Sequence, residues 1–289
     1  MKQGLFAAVL ITVLLCCLAG LSRAAPHDLV EPVAGGSINW TGCFVRAEGT
    51  GAWHPGQANT EAGWEAAVRT ARHDAYMNLL KAFKELRLTQ RWSVGDVVAD
   101  NDQILAKIER LLSSAKTEEI VYRSDGRVEV VRRMPVAGPL FQLILPEYIV
   151  QLEMKSLGER SPNPENEAFT GLVVDARGID VKPAMCFDIF DESGREVYGP
   201  AYVSREFVVQ KGMCGYVTDI GAVESNSRVG ENPLIVKALR AKPPGGTDIE
   251  ISNTDASSLR GTVENLFFLR KCRVIVVRRP FGKDKKAGP

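Results

Sequence analysis

Few side chains in this chain are suited to chemistry, and their spacing excludes most reactions. Histidine occurs three times, and the three stand apart: His27 near the N-terminus, His54 in a Pro-Gly loop, and His73 beside Asp74 within a helical period. Serine hydrolysis needs a base held against a nucleophile, and no Gly-x-Ser-x-Gly turn accompanies any of them. Neither His-x-x-x-His nor paired Cys-x-x-Cys spacing occurs, so no metal ligand set is legible. Gly49-Thr50-Gly51 begins like a phosphate loop. The third glycine is missing at position 54, and no Gly-Lys-Ser/Thr follows, so the segment reads as a loop turning a strand into a helix. No organic cofactor or metal is expected.

Carboxylates remain. Asp175 with Asp180, and Asp188 with Asp191, are the candidate acid-base pairs for an enzyme reading, an exported hydrolase or a small-ligand-binding protein. Asp191-Glu192-Ser193-Gly194 lacks the alternating oxygen ligands of a calcium loop. It reads as a hairpin turn, since Asp, Ser and Gly serve turns for local reasons.

Of six cysteines, Cys16 and Cys17 fall in an apolar leader, and Cys43, Cys186, Cys214 and Cys272 lie beyond it. Four cysteines allow several pairings. Cys186 and Cys214 share a predicted domain across a short hairpin region, so they form the candidate disulfide, while Cys43 has no same-domain partner. Buried reduced thiols are the equally plain alternative.

The leader sets the compartment. Lys2, the apolar run Leu5 to Leu18 and the small-x-small Ser22-Arg23-Ala24 give the order of a secretory signal cleaved after Ala24. A lipid-modified cysteine needs a small residue before it, yet Cys16 follows Leu15 and Cys17 follows Cys16, which favours a soluble exported protein. No later apolar run is long enough to span a bilayer. With 36 basic and 35 acidic residues the net charge is +1, which offers no field to attract nucleic acid.

Periodicity supplies the elements. Residues 37–47 alternate as one strand with a bulge at Gly42, and from Thr60 a long amphipathic helix carries Trp64, Ala67, Ala71, Ala75, Leu79 and Phe83 on one face. A second helix covers 101–114, and 118–121 with 128–131 form a hairpin about Gly126. Leu140 to Leu145 adds an edge segment before Pro146. Pro, Ser and Asn at 158–166 mark a linker. Beyond it, strands are expected at 170–176, 185–190, 196–198, 234–238, 248–251 and 272–277. Asn253, Thr254 or Asp255 caps a helix carrying Leu259, Val263, Leu266 and Phe267. The apolar strand 272–277 belongs inside its sheet, not at the edge. The resulting fold class is α+β with two domains, each an antiparallel or mixed sheet covered by helices. The boundaries are 1–24 for the signal, 25–157 for the first domain, 158–166 for the linker, 167–280 for the second domain and 281–289 for a basic tail.

Ile38-Asn-Trp-Thr-Gly, Ala47-Glu-Gly-Thr-Gly, the Ala67 to Leu80 helix with Asp74-Ala-Tyr, and the Ser124-Asp-Gly-Arg-Val-Glu-Val hairpin together resemble the LPP20 lipoprotein family and the related N-terminal domain of the flagellar assembly protein T. The likeness spans about residues 35–135. It implies a non-enzymatic protein of a Gram-negative envelope, periplasmic or associated with the outer membrane. Its implied partners are envelope or outer-membrane proteins, the flagellar basal body, or a second copy of the chain, and it carries over no catalytic residue. Exposed apolar patches would favour this assembly role, whereas carboxylates with raised pKa gathered in one pocket would favour the enzyme.

Overall fold

Thr60 begins the longest helix, its Oγ1 accepting the Gly63 N–H at 3.1 Å. This helix, α1, spans Glu61–Lys84 and buries Ala67, Ala71, Ala75, Leu79 and Phe83, while Arg69, Arg72 and His73 face water. In the computed structural model the described residues are 28–53, 56, 60–145, 169–224 and 226–282. The expected signal, the 158–166 linker and residues 283–289 of the tail lie outside them.

Five strands form the first sheet: β1 (Val30–Val33), β2 (Gly36–Asn39), β3 (Phe44–Ala52), β4 (Lys116–Tyr122) and β5 (Arg127–Pro135). Their order is β1-β2-β3-β5-β4 and every pairing is antiparallel. The single bulged strand expected over 37–47 is instead a hairpin of β2 and β3, because residues 40–43 turn and Cys43 adopts a left-handed φ of 52°. Gly49-Thr50-Gly51 is likewise no loop but the interior of β3. A Cβ on Gly49 would overlap Ala75 N and Ala71 O, and one on Gly51 would overlap Ala67 O. The glycines are there so that α1 can lie directly on the strand.

Two shorter helices follow α1. The first, α2 (Val94–Ala99), opens with a capping box of Ser93 and Asp96, and α3 (Asp102–Ser113) is capped by Asn101. The edge segment expected at Leu140 to Leu145 is helix α4 (Pro139–Ile144). Proline presets the first helical turn, and Leu140, Phe141 and Ile144 then bury together, which alternation along a strand would prevent.

The second sheet has seven strands: β6 (Gly171–Asp175), β7 (Ile189–Asp191), β8 (Glu196–Tyr198), β9 (Gly215–Val217), β10 (Pro233–Ala241), β11 (Ile249–Ile251) and β12 (Val274–Val277). In the order β8-β7-β11-β10-β6-β12-β9, the run β10-β6-β12-β9 is parallel, β11 is antiparallel to β10, and β8 is antiparallel to β7. As its apolar run requires, β12 is flanked on both sides and fully buried. Only the end of the expected 185–190 strand pairs in the sheet. The N–H groups of Met185 and Cys186 donate instead to Arg87 O (2.9 Å) and Leu88 O (2.7 Å) of the first lobe.

Helix α5 (Arg205–Lys211) lies between β8 and β9. The single helix expected after residue 253 is two, α6 (Asn253–Arg260) and α7 (Val263–Arg270). Gly261 stops the first, and Thr262 caps the second by accepting the Asn265 N–H at 3.3 Å. Ser252, not its successors, caps α6. The class is α+β, with an antiparallel sheet and a mixed sheet both covered by helices.

One apolar cluster joins the lobes, running from Leu29, Trp40 and Leu88 through Phe187 and Tyr216 to Val276. Across it Thr41 Oγ1 donates to Tyr216 O (2.6 Å), Arg87 Nε to Pro183 O (2.8 Å), and the Trp40 and Tyr216 rings meet edge to face at 5.7 Å.

Candidate functional site

The carboxylates named as two pairs meet different fates. Asp175 ends β6 and is clasped by Arg177, whose Nε and Nη2 donate at 2.8 and 2.7 Å. Those bonds hold its carboxyl below the usual range against a partial desolvation. Asp180 is not brought to it. That side chain is 73% exposed and reaches Arg278 at 3.7 Å.

Asp188 and Asp191 bracket β7 and are driven apart in acidity. Asp191 is fully buried, accepts Arg260 Nη1 (2.8 Å), Arg195 Nε (3.1 Å) and the N–H groups of Ser193 and Arg195. Burial pushes its pKa up, but these bonds and the two guanidinium charges hold it at about 2. It is a structural anchor of the hairpin turn.

Asp188 sits in the opposite environment. The register that pairs Ile189 with Ile249 sets Asp188 beside Asp248, whose Oδ1 accepts the Asp188 N–H at 3.1 Å. Glu196 approaches from β8. A Cβ on Gly199 would overlap both Asp188 Oδ1 and Glu196 Oε1, so these two carboxylates converge over a residue without a side chain. Burial, then the charges of Asp248 and Glu196, push Asp188 up to about 7. Burial also raises Asp248, against the pull of its N–H and hydroxyl donors and of Lys242, and it raises Glu196. Sequence spacing missed this trio, because it is assembled by strand pairing and not by local separation. As chemistry, the trio gives Asp188 a proton that is exchanged near neutrality. Among the described residues no histidine joins it, since His73 is exposed on α1. Two surface grooves, of about 870 and 670 Å³, are lined by Trp64, Val68 and Tyr122 in one case and by Leu88, Trp92, Ile104 and Leu145 in the other. Both belong to the first lobe, away from these carboxylates.

The same sheet carries an open face. Although β10 is an internal strand, Ile235 is 55% and Leu239 44% exposed. Ala238 pairs with Ile251 and Arg240 with Glu250, so Leu239 is the extra residue of a bulge. Around these apolar groups stand Lys237, Arg240 bonded to Glu250 at 2.8 Å, and Lys242, whose Nζ lies 4.1 Å over the Phe190 ring. The surface is therefore apolar with a charged rim, in which Arg240 is paired with Glu250 and Lys237 stands beside Asp175 in register, and it offers a partner both buried area and charge.

All four cysteines beyond the leader are free thiols, so the candidate pair Cys186 and Cys214 is unbonded. Cys214 has Cys272 and Cys43 as electrostatic neighbours as well as Cys186, a gathering that spacing along the chain does not reveal.

Residues 171–280 match the family described as Treponema pallidum Tp0624, second domain. The match starts at the first residue of β6 and passes the end of β12, so the mixed sheet, the carboxylate trio and the open face all fall within it. It lies outside residues 35–135, the segment on which a likeness to the LPP20 family is expected from sequence. No curated protein matches the chain.

Proposed function

We propose that the protein is a non-enzymatic assembly component of the cell envelope, exported and held in the periplasm or at the outer membrane. It binds an envelope or flagellar basal-body protein through the open face of its mixed sheet. The observation that carries this reading is the pair Ile235 and Leu239, left exposed on an internal strand within a rim of Lys237, Arg240 and Lys242. A docking protein with an apolar centre and acidic margin fits that surface. The resemblance of residues 35–135 to LPP20 and flagellar assembly proteins, and the secretory order of residues 1–24, support the compartment and the role.

A photo-crosslinker in place of Lys237, activated in the native cell, tests it. Capture of outer-membrane, peptidoglycan-linked or basal-body proteins, lost on Ile235→Ser with Leu239→Ser, is the expected result. A second reading, the exported hydrolase or ligand-binding protein, is favoured by Asp188 held at about 7 beside Asp248 and Glu196. If nothing is captured while the purified chain cleaves an ester or a glycoside and loses that activity on Asp188→Asn, the hydrolase reading replaces the first.

A further inference from the structure

We propose that Cys43 and Cys214 are a disulfide-forming pair that ties the first lobe covalently to the second under oxidising conditions. Three arguments select this pair from the four free thiols.

The first is position. Thr41 donates its hydroxyl to Tyr216 O at 2.6 Å, so the segment ending at Cys43 passes alongside the segment starting at Cys214. The edge-to-face contact of Trp40 with Tyr216 fixes the same approach one residue earlier. Cys43 is also close enough to Cys214 to act on it electrostatically.

Access is the second. Cys43 and Cys214 are half-buried, whereas Cys186 and Cys272 are sealed in the shared core. Cys272 also lies beside Cys214, and each of these thiols is hydrogen-bonded to a buried tyrosine hydroxyl, Tyr198 for Cys272 and Tyr216 for Cys214; what separates them is that Cys272 has no exposed surface whereas Cys214 keeps some.

The third is the backbone and charge around Cys43. Its φ of 52° places it in the left-handed region, a conformation it shares with Cys272 (53°) and one that a non-glycine residue occupies only when its surroundings impose it. The imposed bonds are visible: Val136 N–H donates to Cys43 O at 2.9 Å, and the Ala137 N–H donates to the thiol. The Arg228 guanidinium, anchored on Lys211 O, Gly212 O (3.3 Å) and Cys272 O (2.8 Å), adds positive charge near Cys43 and Cys214. Burial raises both thiols, and donors with the Arg228 charge oppose that rise at both, Ala137 N–H at Cys43 and the Tyr216 hydroxyl at Cys214; the rise is large at Cys214, to about 12, and smaller at Cys43. Cys43 is thus the better first nucleophile. A shared metal does not explain the gathering, since among the described residues no three His, Cys, Asp or Glu side chains are arranged to hold an ion.

With a small disulfide such as oxidised glutathione as the oxidant, the exchange balances. The Cys43 thiolate attacks one glutathione sulfur, that S–S bond breaks, and one reduced glutathione leaves. Cys214 then attacks Cys43 of the mixed disulfide and releases the second. One protein S–S bond forms, one glutathione S–S bond is lost, and two electrons and two protons pass to glutathione.

The test is peptide mapping without reduction, after the folded full chain is incubated with oxidised glutathione. The expected product joins the peptide containing Cys43 to that containing Cys214, leaves Cys186 and Cys272 alkylatable after denaturation, and disappears with dithiothreitol. A chain carrying Cys186→Ala and Cys272→Ala should form the same link to the same extent. Linkage of Cys214 to Cys186 or Cys272, glutathione retained on Cys43 alone, or four unmodified thiols would each overturn the pairing. Because the mapping is done on the unsubstituted chain, a variant that fails to fold does not spare the proposal.

Discussion

The two sheets of this protein meet their helices in contrasting ways. In the first, β3 carries glycines where α1 carries alanines, and the helix backbone rests on the strand with Ala67, Ala71 and Ala75 fully buried. In the second, Ile235 of β10 is 55% exposed while Val173, its register partner one strand away on the same face, is completely buried. The difference lies in the cover. Val173 packs with Val217, Val223 and Val229, with Ile220 against them, and that cover includes no residue of β10. A closed face specifies a fold, whereas an internal strand left open over part of its length specifies a surface.

The largest expected effect breaks the closed side of the contrast. Gly49→Val would drive side-chain carbon into Ala75 N and Ala71 O, which are helix backbone and cannot rotate away. Overpacking commonly costs about 1–3 kcal/mol, and a clash with backbone should lie at or above the top of that range. Urea unfolding followed by circular dichroism measures it. A variant as stable as the parent would show that α1 is not seated on β3 through these glycines.

That contact also shows what the sequence made legible. Helix α1, the β4-β5 hairpin and the interior place of β12 follow from period, turn residues and apolar run, which are local signals. Gly49 and Gly51 read as a loop in sequence because glycine marks both a turn and a close backbone approach, and only the partner, Ala67 to Ala75, distinguishes the two. The 185–188 stretch reads as a strand, yet its N–H groups go to Arg87 and Leu88, a long-range choice that alternation does not encode. For the same reason separation along the chain does not pair the carboxylates correctly. Asp188 finds Asp248 and Glu196 through β7-β11 and β7-β8 pairing, while Asp175 finds Arg177 two residues away.

A middle-sized effect tests the carboxylate trio. Asp188 retains its proton in the folded state up to about pH 7, whereas an unfolded aspartate loses it near pH 4. Between those values the folded state binds more protons, so stability falls as pH rises through this window. Asp188→Asn removes the penalty. It should raise stability at pH 8 by about 1–2 kcal/mol, a figure reduced for solvent screening of a half-buried group, and have little effect at pH 4. Denaturant midpoints at the two pH values decide it, and equal shifts at both would mean that Asp188 titrates normally.

The smallest expected effect on stability belongs to the open face, where the contrast with β3 is sharpest. Ile235→Ser with Leu239→Ser removes side chains that already stand largely in water, so the unfolding free energy should change by no more than about 0.5 kcal/mol per site. Capture of the envelope partner should fall much further. Covering two half-exposed aliphatic side chains contributes about 2–3 kcal/mol of transfer free energy, equivalent to roughly a 30- to 150-fold change in affinity. Thermal melting and crosslinking yield, measured on the same preparation, separate the two quantities. If stability collapses together with capture, Ile235 and Leu239 are part of the fold, and β10 is as closed as β3. If neither changes, the apolar centre of this face does not contact the partner, and binding has to be sought elsewhere on the molecule.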